Sequence, residues 1–395
     1  QEGQVWDSVK KGAFILGSGL FVLLAFRNSL TWHLQRFWGA SGDFWQTQWT
    51  KLHLLLGGNE WALFFVATMV VPTLAFWLFN AVLMVADLTG RPTFITRYRI
   101  QLGRNDPVDP GKLRQAVRTV LYNQLFLSMP MVSGVFLLMR WRGNPCGPEL
   151  PTFHWVLLEL SVCGLLEEIF FYYSHRLFHH PALYKHIHKI HHEWTAPVGV
   201  VALYAHPLEH VLSNMLPVLL GPALLGSHAA TTMLWFTLAL LVTTVSHCGY
   251  HLPLLPSPEF HDFHHLNKNG GEARSRTRRA AGIQCRQRQG KRGVTWLVRA
   301  VQEGQSHRAL ARSSALALLY SLRSGISTLG FLVHRIPEIP RTDRFNQCYG
   351  VLGVLDRLHG TDATFKQTKA YERHLLLLSL TPLSESIPDA PKKDQ

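Results

Sequence analysis

The sequence predicts an all-α, polytopic membrane protein with about four or more transmembrane helices. Three observations predict it. Only 16% of the 395 residues are charged and 47% are apolar, whereas an average soluble domain carries roughly 25% charged residues. Several uncharged stretches are long enough to cross a bilayer. The loops between them carry their Lys and Arg unevenly, as membrane proteins do.

Taken in order, the chain divides into five stretches. Residues 1–60 hold a candidate first membrane helix, Ala13–Phe26, whose 14 uncharged residues are short for a span and could instead be a signal-peptide core. The chain begins with Gln, so at least a start Met is expected ahead of it. Residues 61–149 hold two spans, Trp61–Ala86 with 26 uncharged residues and Thr119–Met139 with 21. A hydrocarbon core of about 30 Å takes roughly 20 helical residues. Between them, loop 87–118 has seven Lys or Arg against three Asp, which predicts that it faces the cytosol.

Residues 150–267 hold Thr152–Tyr173, apolar but interrupted by Glu159, Glu167 and Glu168. They also hold Val211–Ser246, 36 uncharged residues broken by Pro217, Gly221-Pro222 and Gly226-Ser227. The second stretch fits two short spans or a re-entrant hairpin. Counting crossings from loop 87–118 returns residues 175–192, and the chain from His247 on, to the cytosolic side.

The net charge of +14 belongs mostly to residues 268–344, which hold sixteen Lys or Arg against four acids. Basicity confined to one segment argues against a nucleic-acid groove. The segment reads as a basic insertion whose opening third, NKNGGEARSRTRRAAG, has a disordered composition. Residues 345–395 regain globular texture and end in a cytosolic tail. The five Cys form no CxxC pair and no N-x-[ST] sequon occurs. A disulfide framework and a thiolate zinc site are thereby excluded.

Histidine spacing carries the chemistry. Residues 175–192 read HRLFHHPALYKHIHKIHH and hold seven of the chain's 22 His. His175 and His179 are four apart, as are His247 and His251. His188, His191 and His192 repeat the i, i+3, i+4 pattern of His261, His264 and His265. On a helix these offsets share a face, and neutral imidazole is the commonest metal ligand. All ten are candidate metal ligands, and ten suit two ions better than one. The first five read as one half of the site and the last five as the other. A helical cap on the cytosolic side would hold this dimetal site. His180 points about 100° from His179, and His186 lacks a partner at the right offset. His206 and His210 read as interfacial, with a supporting role as the alternative. Glu168, Glu167 and Asp262 are candidates to accept the second N–H of a ligating His. For the glutamates, the alternative is an interfacial pair.

HRLFH, HKIHH and HDFHH resemble the three histidine boxes HX3H, HX2HH and HX2HH of the membrane fatty acid hydroxylase superfamily. EEIFFYYSHR is similar to its lead-in to the first box, and NQCYGVLGVLDRLHGTD to its N-x-G…D-x-L-x-G-T ending. The resemblance covers about 150–266 and 345–372, and 60–150 more loosely. It implies an O2-dependent enzyme with two Fe ions, acting on a membrane lipid. The superfamily's sterol C4-methyl oxidases point to a sterol methyl group, with fatty acid or sphingolipid hydroxylation as the alternative. It further implies cytochrome b5 and its reductase as electron donors, and the endoplasmic reticulum membrane. Lys392 and Lys393 near the end match a dilysine retrieval signal for that membrane. The chain departs from the family where some 80 residues part His265 from Asn346. A His-rich zinc transporter and a catalytically weak scaffold are the rival readings.

Overall fold

The computed structural model describes residues 2–143, 145–266, 347–376 and 380–388. The insertion 268–344 and the dilysine end lie outside the described residues. Among the described residues the protein is helical, with one isolated antiparallel bridge between Arg99 and Tyr250 and no strand. Helix α1 (Glu2–Leu55) absorbs the uncertain stretch 13–26 into one continuous rod of 54 residues. Its Phe14, Leu16, Leu20 and Phe21 are exposed, and only near its end does Trp49 become buried.

Among the described residues, four helices are long and apolar enough to cross a membrane: α2 (Glu60–Thr89), α3 (Pro110–Arg142), α5 (Pro207–Leu225) and α6 (Ala229–His247). Helix α4 (Phe153–Phe178) lies among them, its apolar character diluted by Glu159, Glu167 and Glu168. The 36-residue uncharged stretch therefore resolves into two helices. Gly226, at φ +68°, ends α5 in a left-handed cap, which glycine adopts without a Cβ penalty. His228 then caps α6 by accepting from the Ala230 amide.

Local signals explain the other ends. Asn59 accepts the Ala62 amide at 3.0 Å and starts α2. Asp109 accepts the Lys112 amide at 2.6 Å, with Pro110 at the first helical position of α3. These residues satisfy orphan N–H groups that a helix start leaves open. Outward-facing Leu74, Leu78, Val82 and Val85 on α2, and Leu137 and Leu138 on α3, stay exposed. An apolar belt of that kind suits lipid rather than water.

Among the described residues three apolar clusters fill the interior. One joins α2, α3, α4, α5 and α6 through Leu63, Phe64, Phe136, Cys163, Leu219 and Phe236. A second packs Phe76, Val120, Trp194, Val200 and Leu203, and a third Leu83, Ala86, Tyr98, Cys248 and Tyr250. Helices α2, α3 and α5 each contain a π-helical stretch: Val66–Val70, Asn123–Ser128 and His210–Met215. Such stretches add a residue to a turn and are frequent at functional sites.

Helices α4 and α5 pack closely enough that glycine is required at 221. A Cβ there would sit 2.6 Å from Cys163 Sγ and 2.9 Å from the Cys163 Cα. Backbone cannot yield as a flexible side chain can. Gly221→Val should therefore destabilise the protein by about 1–3 kcal/mol, read as a lowered melting temperature in detergent, while Cys163→Ala should cost less.

Candidate metal centre

The boxes reach the centre from several elements. His175 stands in the last turn of α4 and His179 caps that helix. Residues 185–190 form turns and His191–Glu193 a single 3-10 turn. The helical face expected for 188–192 is thus replaced by a tight turn, though the His192 amide still donates to the His188 carbonyl at 3.3 Å. His247 ends α6. His261, His264 and His265 stand on α7 (Glu259–Leu266).

Nine of the ten candidate ligands converge, in two groups. His175, His179, His188, His192 and His264 form one; His191, His247, His261 and His265 form the other. All nine are buried. This grouping differs from the expected halves. In each HX2HH box the i, i+4 pair serves one group and the intervening His crosses to the other. Geometry explains the crossing on α7. Successive residues turn about 100°, so His264 lies about 60° to one side of His261 and His265 about 40° to the other.

His251 is a correction: it belongs to neither group. Helix α6 stops at His247, and Gly249 at φ +73° turns the chain, so the helical i, i+4 spacing does not carry to 251. Its backbone amide instead donates to the Tyr98 carbonyl at 2.9 Å.

The supporting atoms settle what these rings can hold. His175 Nδ1 lies 2.8 Å from the Tyr349 carbonyl, His191 Nδ1 3.0 Å from that of Tyr204, His247 Nδ1 2.8 Å from that of Thr243 and His265 Nδ1 3.0 Å from that of Trp194. His188 Nδ1 lies 2.7 Å from Glu209 Oε1. A carbonyl only accepts, so the ring proton sits on Nδ1 and Nε2 presents a lone pair. Yet His175 and His188 Nε2 are 3.2 Å apart, and His247 and His191 Nε2 are 3.3 Å apart. No proton is left to bridge these pairs. Burial, and for His188 also the neighbouring imidazoles, push both His188 and His191 below the ordinary value, His191 to about 4, so both rings are neutral near pH 7. Lone pairs facing one another in a dry interior call for a cation. Two nitrogens about 2.1 Å from one ion and at right angles lie about 3.0 Å apart. The remaining Nε2 contacts, 2.8 to 3.1 Å, fit that spacing.

The carboxylates take other places than expected. Glu168 touches no ligand. It accepts the amides of Val351, Leu352 and Leu355 at 2.9, 2.7 and 3.1 Å. Asp356, at the head of helix α8 (Val354–His359), accepts those of Tyr349 and Gly350. Two buried carboxylates thus pin the loop whose Tyr349 carbonyl orients His175. The loop runs so close that a Cβ on Gly350 would lie 2.7 Å from Glu168 Oε1. Asp262 points away from the histidines and accepts from Gln101 Nε2 at 2.8 Å. Glu167 lines a cavity instead. His206 caps the start of α5, and His210 meets Ser128. Sequence reading missed Glu209, the one acid in HPLEH, which directly orients His188. Its signal was an acid at the mouth of an uncharged stretch.

Helix α6 borders a cavity of about 850 Å³ from Phe236 to His247, about 16 Å at 1.5 Å per residue. His247 and His261, both of the four-histidine group, line it. None of the five-histidine group does.

A family model described as fatty acid hydroxylase matches residues 160–275. The chain is 53% identical to fatty acid hydroxylase domain-containing protein 2 of Homo sapiens over 393 residues, covering 100% of this chain and 95% of that one. It belongs to the fatty acid hydroxylase family. It is 33% identical to methylsterol monooxygenase 1 of Rattus norvegicus over 189 residues, 46% of this chain and 64% of that one. It is also 34% identical to very-long-chain aldehyde decarbonylase GL1-11 of Oryza sativa subsp. indica over 195 residues, 45% and 71% respectively. No solved structure matches the chain. Membership agrees with a metal-dependent oxygenase site in a membrane protein.

Two outcomes follow from these contacts. Glu209→Gln should weaken metal binding about 10–100-fold, measured by competition with a chelator, because His188 loses its carboxyl partner. In metal-free protein, the depressed His191 means the unfolded chain binds more protons between about 4 and 6.5. Stability should be level above pH 6.5 and fall as pH drops towards 4, read by thermal unfolding at pH 7.5 and 5.

Proposed function

We propose that this protein is a di-iron, O2-dependent hydroxylase of a membrane lipid, acting on the C4-methyl group of a sterol. The observation that carries this is the four-histidine group opening onto a largely apolar cavity between membrane helices. Four nitrogens leave room in a metal's coordination for exchangeable partners, and a cavity there brings a lipid to them. When bound, a pair of irons supplies O2-dependent oxidation of an unactivated C–H bond, which side chains alone cannot perform. All-nitrogen ligation without thiolate suits iron in that role.

The chain's own residues bind, orient and exclude water. His191, His247, His261 and His265 would hold the ion facing the cavity, and the five-histidine group the other. Tyr204, Thr243, Trp194, Tyr349 and Glu209 keep the Nε2 of His191, His247, His265, His175 and His188 aimed inward through Nδ1. Apolar Val132, Leu219, Phe236 and Leu240 line the cavity away from the ions and would take the lipid's body. Two electrons per turnover come from cytochrome b5 and its reductase. The protein works in the endoplasmic reticulum membrane, with the boxes and the C-terminus cytosolic. The relatives named for methylsterol oxidation support the sterol reading. The family model named for fatty acids supports a second one, hydroxylation of an acyl chain. Glu168 and Asp262 serve as positioning residues, through the 349–355 loop and Gln101.

Purified protein should carry two irons per chain, and cells lacking it should accumulate 4-methyl sterols. A His191→Ala/His192→Ala variant should lose metal and turnover yet still insert into membranes. Unchanged sterols with altered 2-hydroxy acyl lipids would move the assignment to the acyl reading. Zinc in place of iron, with neither lipid changed, would sink the oxygenase reading.

A further inference from the structure

Four neutral polar side chains stand together on facing π-helical stretches and line the cavity: Gln124 and Ser128 on α3, His210 and Asn214 on α5. Each pair is four residues apart, so each shares a helix face. The two pairs meet where Ser128 Oγ lies 2.9 Å from His210 Nε2. Ser128 Oγ also lies 3.3 Å from Met215 Sδ.

The polar capacity of this cluster is incompletely used. His210 is 1% exposed, and its Nδ1 has no partner among the described residues. If Nε2 accepts from Ser128, Nδ1 carries a proton to donate; if Nε2 donates, Nδ1 is an unmet acceptor. Gln124, 5% exposed, uses its carbonyl oxygen to accept from Trp77 Nε1 at 2.9 Å. Its amide N–H groups are left facing no partner among the described residues. Buried polar groups without partners are costly. All four sit in stretches where the regular helix has been widened, which is itself a departure from the cheapest backbone.

We propose that Gln124, Ser128, His210 and Asn214 form a subsite for a hydroxyl group on a neutral lipid alcohol, held while the oxidised carbon faces the four-histidine group. This rests on the lipid hydroxylase reading and names its substrate class. A hydroxyl donates and accepts at once, so it satisfies His210 in either tautomer as well as the Gln124 amide. A carboxylate or phosphate could only accept, and the cluster has no cation to neutralise it. The two cations that line the same cavity, Arg357 and Lys366, belong to the segment after the insertion and not to this cluster. The position fits as well. His210 follows Glu209, which touches the ligand His188, and Gln124 follows Asn123, whose amide donates to the carbonyls of Leu203 and Ala205 beside the Tyr204 carbonyl that orients His191. The subsite therefore lies near the ions rather than at the far apolar end. The hydroxyl it takes would be close to the carbon oxidised.

The test is binding by the purified full chain in detergent, with a 4,4-dimethyl-3β-hydroxysterol, its 3-O-methyl ether and oleate as probes. The wild-type protein should bind the alcohol about tenfold more tightly than the ether, the worth of one well-made hydrogen bond. Gln124→Leu and Ser128→Ala should cut that preference to below about threefold while ether affinity and metal content stay unchanged, which controls for folding. Equal binding of alcohol and ether by wild type, absence of saturable sterol binding, or tighter binding of oleate would each overturn the proposal. So would variants that keep the full preference. The assay needs no turnover. A clear hydroxyl preference without any hydroxylated product would leave the subsite standing and remove the hydroxylase reading; turnover without preference would do the opposite.

Discussion

Nine imidazoles, pressed together in a dry interior, are the constraint on which the rest of this structure depends. Without a cation they repel, and protonation is no remedy where burial disfavours the charged ring. Each ring must also be held against rotating away. The protein does this from the other side of the ring. Backbone carbonyls of Tyr204, Trp194, Thr243 and Tyr349, and the carboxylate of Glu209, each take an Nδ1 proton. These acceptors come from a 3-10 turn, a loop, two membrane helices and the segment beyond the insertion. Regular helix carries His175, His247 and the third box, while turns carry the second box.

That arrangement explains the ending of the chain. Asp356 and Glu168 have no direct contact with a metal ligand, yet between them they accept five backbone amides of residues 349–355. Thr361 reinforces Asp356 with a 2.6 Å hydrogen bond. The D-x-L-x-G-T ending is therefore a clamp on a loop. Residues that the sequence parts by some 80 positions, His264 and Tyr349, meet with ring centroids 5.7 Å apart. Whatever the insertion does, its two flanks serve one centre.

The asymmetry of the centre shapes what reaches it. Five histidines close one group, and four leave the other facing the cavity. The cavity follows α6 away from the ions, between helices whose outer faces are apolar. Under the proposed function, this cavity would let a lipid reach the four-histidine group from between those helices. Two π-helical stretches put Gln124, Ser128, His210 and Asn214 on its wall, alongside apolar Val132, Leu219 and Phe236.

Much of this was legible in the sequence. Uncharged runs marked α2, α3, α5 and α6, because a hydrocarbon core sets both length and composition. The i, i+3 and i, i+4 spacings marked the nine histidines that cluster, because one ion needs nitrogens about one helical turn apart. Spacing misled at His251, since it assumes a helix that ends at His247. It could not sort the nine into groups, since His191 and His264 cross over. Glu168 and Asp262 were read as partners of histidines because they neighbour them in the chain; they point to the 349–355 loop and to Gln101. Glu209 and the Tyr349 carbonyl went unread, because a carbonyl has no signature and one glutamate is commonplace. By itself, then, the sequence determined that this is a helical membrane protein with histidine clusters that could hold a metal, since composition and local period are one-dimensional properties. Which nitrogen meets which, what orients it, and which group faces the cavity were decided only by tertiary structure, because these depend on where helices stop and on contacts between residues far apart in the chain.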